Sequence, residues 1–467
     1  MLAAIALAAG SGLAALIAHV LVNGDGAFHL IWGRELAHGT LTTFSGGPTP
    51  HPSLLALAAG TSLLGDDASY LLTYVLLGPI AFGALVAAVF EIARRLSSPV
   101  AAAVAAIVIA VSPGVLANAG TARYDIAFAA LVMAAVALEL ARPRRGFAPL
   151  ICLAIAGLVR PEAWLIAGLY WLWLAPSMTW RRRARSAALV ALAPMLWALM
   201  DALVMGDPLY SLHITDSASD VLYGQYSAWQ NLGQSGKDLF WYLGFVPLLA
   251  LPPAAVFLVR DRARTTLPLL GVLAITIGTF LLFLVRGMAT NERYLLVPVC
   301  VLAILTAMAI DGGGLRTPGR VAVGVFLVVL LCFQLAIRTD SYGRMRSDAR
   351  TAHAQNMSAR SLVALPGVRE AIRQCPVVAL AGNKMRHRFA LYSGRAPEAL
   401  PSHGSGITHP DLFIAPANPE SAKAVLTRPR FDDDASFRVP AGLRLGPRNA
   451  DWALYVSPKS SCARGLL

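Results

Sequence analysis

Residues 70–92 read YLLTYVLLGPIAFGALVAAVFEI, a long apolar stretch with a single charged side chain, and Arg94 and Arg95 follow closely. A helix needs about 20 apolar residues to cross the hydrocarbon core of a bilayer, which is about 30 Å thick. Stretches of similar length and composition recur along the chain as far as residue 337. The sequence therefore predicts an α-helical polytopic membrane protein.

The composition excludes an ordinary soluble fold. Of the 467 residues, 57% are hydrophobic and 14% are charged, and the mean hydropathy is +0.60. A soluble domain has about 25% charged residues, so this chain would lack polar surface in water. The first apolar stretch, residues 2–22, has no Lys or Arg before it. A cleaved signal peptide has a basic segment there, so we predict a retained first span.

We predict about eleven membrane-spanning helices, at residues 2–22, 70–92, 100–117, 126–140, 147–159, 164–177, 187–205, 239–259, 267–284, 294–310 and 321–337. The fifth and sixth are short, so they are either two crossings or one re-entrant pair. Residues 51–64 are only moderately apolar and are predicted to form an interfacial helix.

Basic residues occupy every second connection between these spans. They are Arg94 and Arg95, then Arg142, Arg144 and Arg145, then Arg181, Arg182, Arg183 and Arg185, then Arg260, Arg262 and Arg264, and finally Arg316 and Arg320. Cytoplasmic loops carry the excess of Lys and Arg. We therefore expect a multi-pass plasma-membrane protein with a cytoplasmic N-terminus. Residues 23–69 and 206–236 would then be outer loops.

The composition changes after residue 337, so we predict a transmembrane domain at 1–337 and a small extracytoplasmic α/β domain at 338–467. Its predicted elements are helices at 361–374 and 419–426 and strands at 377–381, 412–415 and 452–456. Cys375 precedes the first strand and Cys462 follows the last. If these strands are neighbours, an oxidising compartment would allow a disulfide; two unpaired thiols are the alternative.

The first outer loop contains a candidate general base. Residues 23–36 read NGDGAFHLIWGREL and predict a short helix along the membrane surface. Asp25 stands at its start, where a carboxylate either caps the helix or deprotonates an acceptor hydroxyl. His29 lies one turn further on and shares a face with Asp25.

Arginines outside the cytoplasmic loops are candidate phosphate ligands, because arginine binds phosphate through two parallel hydrogen bonds. They are Arg34, Arg123, Arg286 and Arg293 in outer loops and Arg160 between the two short spans. The alternative is that each side chain extends separately to the head groups.

Charged residues within spans are costly and mostly functional. Pro161 separates Arg160 from Glu162, and these two could simply pair with each other. Asp125 opens the fourth span, where helix capping is again the alternative.

Taken in order, these features resemble the GT-C class of membrane glycosyltransferases, which includes protein O-mannosyltransferases, lipid A aminoarabinose transferases and mycobacterial arabinofuranosyltransferases. The stretches that carry the resemblance are GDGAFH at 24–29, RYD at 123–125, LVRPE at 158–162, GDPLY at 206–210 and ERYLLVP at 292–298. The RPE and RYLL elements are the most specific.

The resemblance implies transfer of a sugar from a polyprenyl-phosphate carrier to a cell-envelope glycan, lipid or protein on the outer face of the membrane. It implies Asp25 as the base and Asp125 as a second acidic site residue. The predicted substrate-binding residues are His29, Arg34, Arg123, Arg160, Glu162, His213, Glu292 and Arg293. Of these, the resemblance implies that Arg160 and Arg293 contact the carrier phosphate. Many members of the class have two adjacent acids in the first loop, whereas Gly26 follows Asp25 here. We therefore predict no metal and no other cofactor.

Two other functions are compatible with the sequence. The chain could be a lipid or solute transporter or flippase, although such proteins often show internal repeats and a site near the membrane midplane. It could also be a non-catalytic scaffold that works through residues 338–467. The expected contacts are membrane lipids and the two substrates, with no nucleic acid. The sugar, its linkage and the acceptor are not specified.

Overall fold

The computed structural model describes residues 1–17, 19–215, 228–245, 263–286, 292–309, 317–402, 407, 409–425 and 438–467. The chain divides into two compact units. The membrane unit comprises Met1–Leu21, His51–Ser53 and Leu71–Ala349. The α/β unit comprises Val22–Pro50, Leu54–Tyr70 and Arg350–Leu467, so it includes most of the first predicted outer loop.

The α-helices, in chain order, are α1 (Leu2–Ile17), α2 (Gly24–Ala37), α3 (Pro52–Ser62), α4 (Asp66–Val75), α5 (Ala81–Leu96), α6 (Pro99–Ala110), α7 (Pro113–Gly120), α8 (Tyr124–Ala141), α9 (Phe147–Val159), α10 (Glu162–Leu174), α11 (Trp180–Met205), α12 (Ala228–Leu243), α13 (Ala263–Val285), α14 (Leu296–Met308), α15 (Thr317–Ile337), α16 (Thr339–Val363), α17 (Val368–Gln374), α18 (Arg386–Ser393) and α19 (Pro419–Val425). A π-helical turn, Leu76–Ile80, joins α4 to α5.

Within the described residues, four helical segments are long and apolar enough to cross a membrane. They are Asp66–Leu96, Tyr124–Ala141, Trp180–Met205 and Thr266–Val285. The total is six if two bent pairs each make one span, namely α6 with α7, bent by 59°, and Gly324–Ile337 with α16, bent by 52°. The eleven spans remain a prediction. Residues 246–259 of the eighth predicted span and residue 310 of the tenth lie outside the described residues.

The break between α9 and α10 follows from Pro161. The residue before a proline is pushed out of the helical region and into extended conformation. Arg160 has φ −148° and ψ 135°, and α9 ends at Val159. The helix resumes at Glu162, after Pro161. The two short predicted spans are therefore separate helices, and their junction holds Arg160 in an extended backbone.

Close backbone contact stabilises the packing of α1 on α5. A Cβ atom added at Gly83 would lie 2.3 Å from the carbonyl oxygen of Ala6. No side chain fits in that space, so glycine is required for this approach. Helix α5 also packs against α6 and α8, and α8 packs against α9. These contacts fix the position of α8, whose first turn contributes to the candidate site.

The α/β unit contains a four-stranded sheet in the order β1 (Val378–Leu380), β2 (Leu412–Pro416), β4 (Trp452–Val456) and β3 (Arg444–Arg448). Strands β1 and β2 are parallel, whereas β4 is antiparallel to both of its neighbours. One face of the sheet packs with Ile31 of α2 and with residues of α16 to α18 into one hydrophobic core. The first-loop helix is therefore an integral part of this unit.

One prediction for this unit needs correction, and one strand was missed. The single helix predicted at 361–374 is the end of α16 followed by α17. The interruption contains Pro366 and Gly367, and Gly367 has φ +74°, a left-handed conformation that favours glycine. Strand β3 was not predicted at all. The strands predicted near β1, β2 and β4 are present.

The predicted disulfide between Cys375 and Cys462 is present, with a Cα–Cα distance of 5.3 Å. The reason given for it from the sequence is wrong, because β1 and β4 are not neighbours: β2 lies between them. Cys462 belongs instead to a 3₁₀ helix, Ser461–Leu466, that packs against α17, and Cys375 directly follows α17.

Candidate functional site

Asp25 lies in the first turn of α2 but does not cap it. The side chain of Asn23 accepts a hydrogen bond from the backbone N–H of Gly26 at 2.8 Å, so Asn23 is the N-cap. The capping interpretation of Asp25 is therefore wrong. Asp25 is half-buried, and the N-terminal end of the helix favours its negative charge.

Two histidines lie in the electrostatic neighbourhood of Asp25. Burial lowers the pKa of His29 to about 4, against the opposing effects of its bond to Asp25 and of the Asp25 charge. Burial lowers the pKa of His387 to about 3, and the Arg388 charge acts in the same direction. Both imidazoles are thus neutral near pH 7. Nδ1 of neutral His29 donates to the carbonyl oxygen of Asp25 at 2.7 Å.

Arg34, predicted as a phosphate ligand, is engaged within the α/β unit. Its Nη1 atom donates to Asp66 at 3.1 Å and to the carbonyl oxygen of Leu391 at 3.3 Å. The guanidinium therefore links α2 to the start of α4 and to α18. A phosphate at Arg34 would have to compete with these contacts.

The membrane unit contains a group of side chains that we call the Arg160 cluster: the buried Asp125, Arg160 and Glu162 and the partly buried Arg293 and Tyr294. Arg160 forms ion pairs with Asp125 and, at 2.5 Å, with Glu162. The exposed fractions of these three side chains are 8%, 1% and 9% for Arg160, Asp125 and Glu162. The predicted Arg160–Glu162 pair is present, but it is part of a larger network.

Arg293 is the more accessible arginine of the cluster. Its side chain is 20% exposed, and its Nη1 atom lies 4.0 Å from Oδ2 of Asp125. Within the described residues, that oxygen accepts no hydrogen bond. The ring of Tyr294 packs against the Arg160 guanidinium at 4.4 Å. A cavity of about 20 Å³ lies between Arg160, Glu162, Arg293 and Tyr294, which is room for about one water molecule.

A second ion pair brings together two more predicted residues. Nη1 of Arg123 lies 3.0 Å from Glu292, and both side chains are about one-third exposed. These residues precede Asp125 and Arg293 closely in the chain. The structure thus joins the RYD, LVRPE and ERYLLVP stretches in one region, where three arginines are balanced by three carboxylates.

His213, predicted to bind substrate, contacts Asp207 in the segment that follows α11. Its Nδ1 atom lies 2.7 Å from Asp207, and both side chains are exposed. Nearby Asp201 is buried and accepts hydrogen bonds from the backbone N–H and the hydroxyl group of Ser211. This arrangement closes the turn after α11 and gives no direct sign of substrate binding.

Two residues of these sites, Tyr294 and His387, are not among those predicted from the sequence. Tyr294 lies within the quoted ERYLLVP stretch, so an aromatic residue next to a predicted phosphate ligand was the available signal. His387 stands 358 residues after His29 in the chain. Only the folded α/β unit brings it against Phe28, with ring centroids 6.0 Å apart, so no local pattern could have shown it.

Neither a protein-family model nor a curated protein sequence matches the chain. Several solved structures are similar to it, and these include the following three. ArnT from Cupriavidus metallidurans, bound to undecaprenyl phosphate, has a TM-score of 0.61 and 14% identity over 98% of both chains. The Archaeoglobus fulgidus oligosaccharyltransferase tethered with an acceptor peptide has a TM-score of 0.54 and 13% identity, over 86% of this chain and 63% of that chain.

The third is the oligosaccharyltransferase AglB from the same archaeon, in complex with an inhibitory peptide and a dolichol-phosphate. Its TM-score is 0.51 and its identity is 13%, over 86% of this chain and 64% of that chain. At 13–14% sequence identity, these similarities show a shared fold and no more. The predicted fold, a polytopic helical GT-C-like membrane protein with a C-terminal α/β region, is confirmed.

Proposed function

We propose that the chain is an integral membrane glycosyltransferase that moves a sugar from a polyprenyl-phosphate carrier to a cell-envelope acceptor. The observation that carries this proposal is the likeness over 98% of both chains to ArnT bound to undecaprenyl phosphate. AglB, which has the same general fold, is in complex with a dolichol-phosphate. Both ligands belong to the predicted class of donor carrier.

The Arg160 cluster supplies suitable chemistry for the carrier phosphate. We assign the first contact to Arg293, because its side chain is 20% exposed, against 8% for Arg160. Arg160 is held by Asp125 and Glu162, so its guanidinium is already oriented. Arginine can bind phosphate through two parallel hydrogen bonds. Asp125 is almost fully buried, and we assign it to positioning the arginines.

We assign the general base to Asp25. The acceptor oxygen would attack the anomeric carbon of the sugar while the bond to the phosphate oxygen breaks, and the phosphate keeps the electron pair. The acceptor proton would move to the Asp25 carboxylate, which is general-base catalysis. Arginine stabilises the charge that develops on the leaving phosphate. Neither step draws on a metal.

The protein would carry out this reaction on the outer face of the plasma membrane. The alternating basic loops favour a cytoplasmic N-terminus and an extracytoplasmic α/β unit. The disulfide between Cys375 and Cys462 supports this orientation, because disulfides persist mainly in oxidising compartments.

Reconstitution tests the proposal against its rivals. Purified protein in liposomes receives lipid-linked sugars extracted from a deletion strain, together with an envelope fraction from the same strain. A transferase consumes the lipid-linked sugar and releases free polyprenyl phosphate. A flippase moves the lipid across the bilayer without consuming it, and a scaffold does neither. Unchanged lipid-linked sugar in the presence of all fractions would contradict the proposal.

A further inference from the structure

An apolar groove lies in the membrane unit, between α8, α9, α10 and α13. Its volume is about 260 Å³ and nearly all its lining residues are apolar. Leu169, Trp173 and Leu267 on its lining are 50%, 38% and 51% exposed, so the groove opens to the outside of the helix bundle. Inside a bilayer, such a surface faces hydrocarbon.

The groove is distinct from the Arg160 cluster. Glu139 lines the groove, and Asp125 belongs to the cluster. These residues are 14 positions apart on α8, which corresponds to about 21 Å along the helix axis. In the same way, Glu162 opens α10 and Trp173 stands at its other end. The end of the groove that Glu139 and Trp173 line is therefore far from the cluster, whereas its other end reaches Val132 on α8 and Ile166 on α10.

Arginines surround the end of these helices at which Glu139 and Trp173 lie. They are Arg142, Arg144 and Arg145 between α8 and α9, and Arg181, Arg182, Arg183 and Arg185 at the start of α11. All seven are exposed, and residues 142–146 and 175–185 contain no Asp or Glu. This end of the membrane unit therefore presents a strongly positive surface next to an apolar groove.

Arg144 and Arg182 are among the arginines with defined contacts. The Arg144 guanidinium lies 5.3 Å from the ring centroid of Trp173, which lines the groove. Arg144 has φ +60°, a conformation that non-glycine residues keep only when the surrounding structure imposes it. The carboxylate of Glu139 accepts a hydrogen bond from the backbone N–H of Arg144 at 2.8 Å and another from the hydroxyl group of Tyr170 at 2.5 Å. Arg182 donates to the carbonyl oxygen of Arg145.

We propose that the groove binds an anionic phospholipid, with an acyl chain along the groove and the phosphate of the head group on Arg144 and Arg182. The apolar lining fits the chain, and the arginines fit the charge of the head group. Basic residues near the bilayer surface attract anionic lipids. The carboxylate of Glu139 is buried and already accepts two hydrogen bonds. It therefore does not repel the phosphate of the head group. The proposal is independent of the transferase activity.

A substitution on α13 tests the groove. Gly271 lines it, and a Cβ atom added there meets nothing within 4 Å. The ring of Gly271→Phe would therefore enter the groove. Gly278→Phe is the matched control, since Gly278 lies two turns further on the same helix, is equally unobstructed and does not line the groove. Each displaced methylene group weakens binding about fourfold, so Gly271→Phe should lower lipid retention roughly tenfold or more.

The measurement is native mass spectrometry after exchange into nanodiscs that contain equal amounts of phosphatidylglycerol and phosphatidylcholine. The wild type and Gly278→Phe should retain phosphatidylglycerol in preference to phosphatidylcholine. Arg144→Gln and Arg182→Gln should each reduce that preference about fivefold.

Four results would overturn the proposal: no retained phospholipid, equal retention of the two lipids by the wild type, retention of a polyprenyl phosphate instead, or equal retention by Gly271→Phe and Gly278→Phe.

Discussion

Arg160 carries a positive charge into the interior of the membrane unit, where 8% of its side chain is exposed. A buried charge is costly unless it is paired and hydrogen-bonded. Asp125 and Glu162 provide two carboxylates for this one guanidinium, and Arg293 lies near enough to offset the remaining negative charge. Removing one member of such a network costs about 3–5 kcal/mol of the free energy of unfolding. Burying these charges therefore has a cost in stability, and this cost favours a functional role for the cluster.

The two arginines should respond differently to replacement by lysine. Arg160→Lys and Arg293→Lys keep the charge and lose the planar fork, so each should raise the apparent KM for the lipid donor about tenfold. Only Arg160→Lys should also lower the melting temperature, because hydrogen bonds to Asp125 and Glu162 are lost. Donor titrations and melting curves of both variants check this. If the KM of neither variant changes, the phosphate is bound elsewhere.

Asp25 can be tested separately from the capping of its helix. Asp25→Asn should reduce transfer at least about 100-fold through loss of the general base, with at most a small drop in melting temperature from the lost charge at the helix N-terminus. The control is Asn23→Ala, which removes the observed cap and should cost about 1 kcal/mol of stability while transfer persists. Rates and melting curves of the two purified variants give the answer. Near-normal transfer by Asp25→Asn would remove Asp25 from the mechanism.

At the scale of elements, α2 carries a carboxyl group with an unusual environment. Burial raises the pKa of Glu35 to about 7 from its ordinary 4.5, the charge of Glu398 acts in the same direction, and the charge of Arg34 opposes them. The folded protein thus binds this proton more tightly than the unfolded chain does. The stabilisation is complete below about pH 4.5 and is lost as the pH rises through about 7.

Glu35→Gln should remove this dependence. The variant lacks the ionisable group, so its melting temperature relative to the wild type should increase as the pH rises from 4.5 to above 7. His29 acts in the opposite sense, because its lowered pKa favours the folded state at higher pH, but it is present in both proteins and cancels in the comparison. Melting curves at several pH values measure the difference. A constant difference across that range would contradict the raised pKa.

Features with local causes were predictable from the sequence, and those that depend on the tertiary fold were not. Pro161 acts on its immediate neighbour, so the break at Arg160 was predictable. Asn and Asp both cap helices well, so the sequence did not distinguish Asn23 from Asp25. The engagement of Arg34 with Asp66 depends on how α2 packs. Strand β3 lies at the edge of the sheet, where charged residues and proline are tolerated, and Arg444–Arg448 therefore lacks the usual strand pattern.

At the scale of the whole molecule, the first loop and the C-terminal region form one unit. Helix α2 contributes Ile31 to the same core as α16, α17, α18 and the sheet. A contact between residues so far apart in sequence leaves no local pattern, and the sequence had placed them in separate domains. The GT-C fold itself was predictable, because span length and motif order are properties of the chain.

The orientation of the molecule has a direct test. The α/β unit, which ends the chain, should lie outside the cytoplasm because the basic loops alternate. A C-terminal alkaline phosphatase fusion should be active in cells, whereas a C-terminal green fluorescent protein fusion should be dark. The reverse pair of results would place Asp25 in the cytoplasm and would contradict the proposed reaction.

Mass spectrometry of lipids from a deletion strain shows whether the protein transfers a sugar from a polyprenyl-phosphate carrier. One polyprenyl-phosphate-linked sugar should accumulate in that strain, and envelope glycan analysis should show loss of the same sugar. Wild-type protein and Asn23→Ala should reverse the accumulation, and Asp25→Asn should leave it in place. A deletion strain whose lipid-linked sugars and envelope glycans match those of the parent strain would contradict such a transfer.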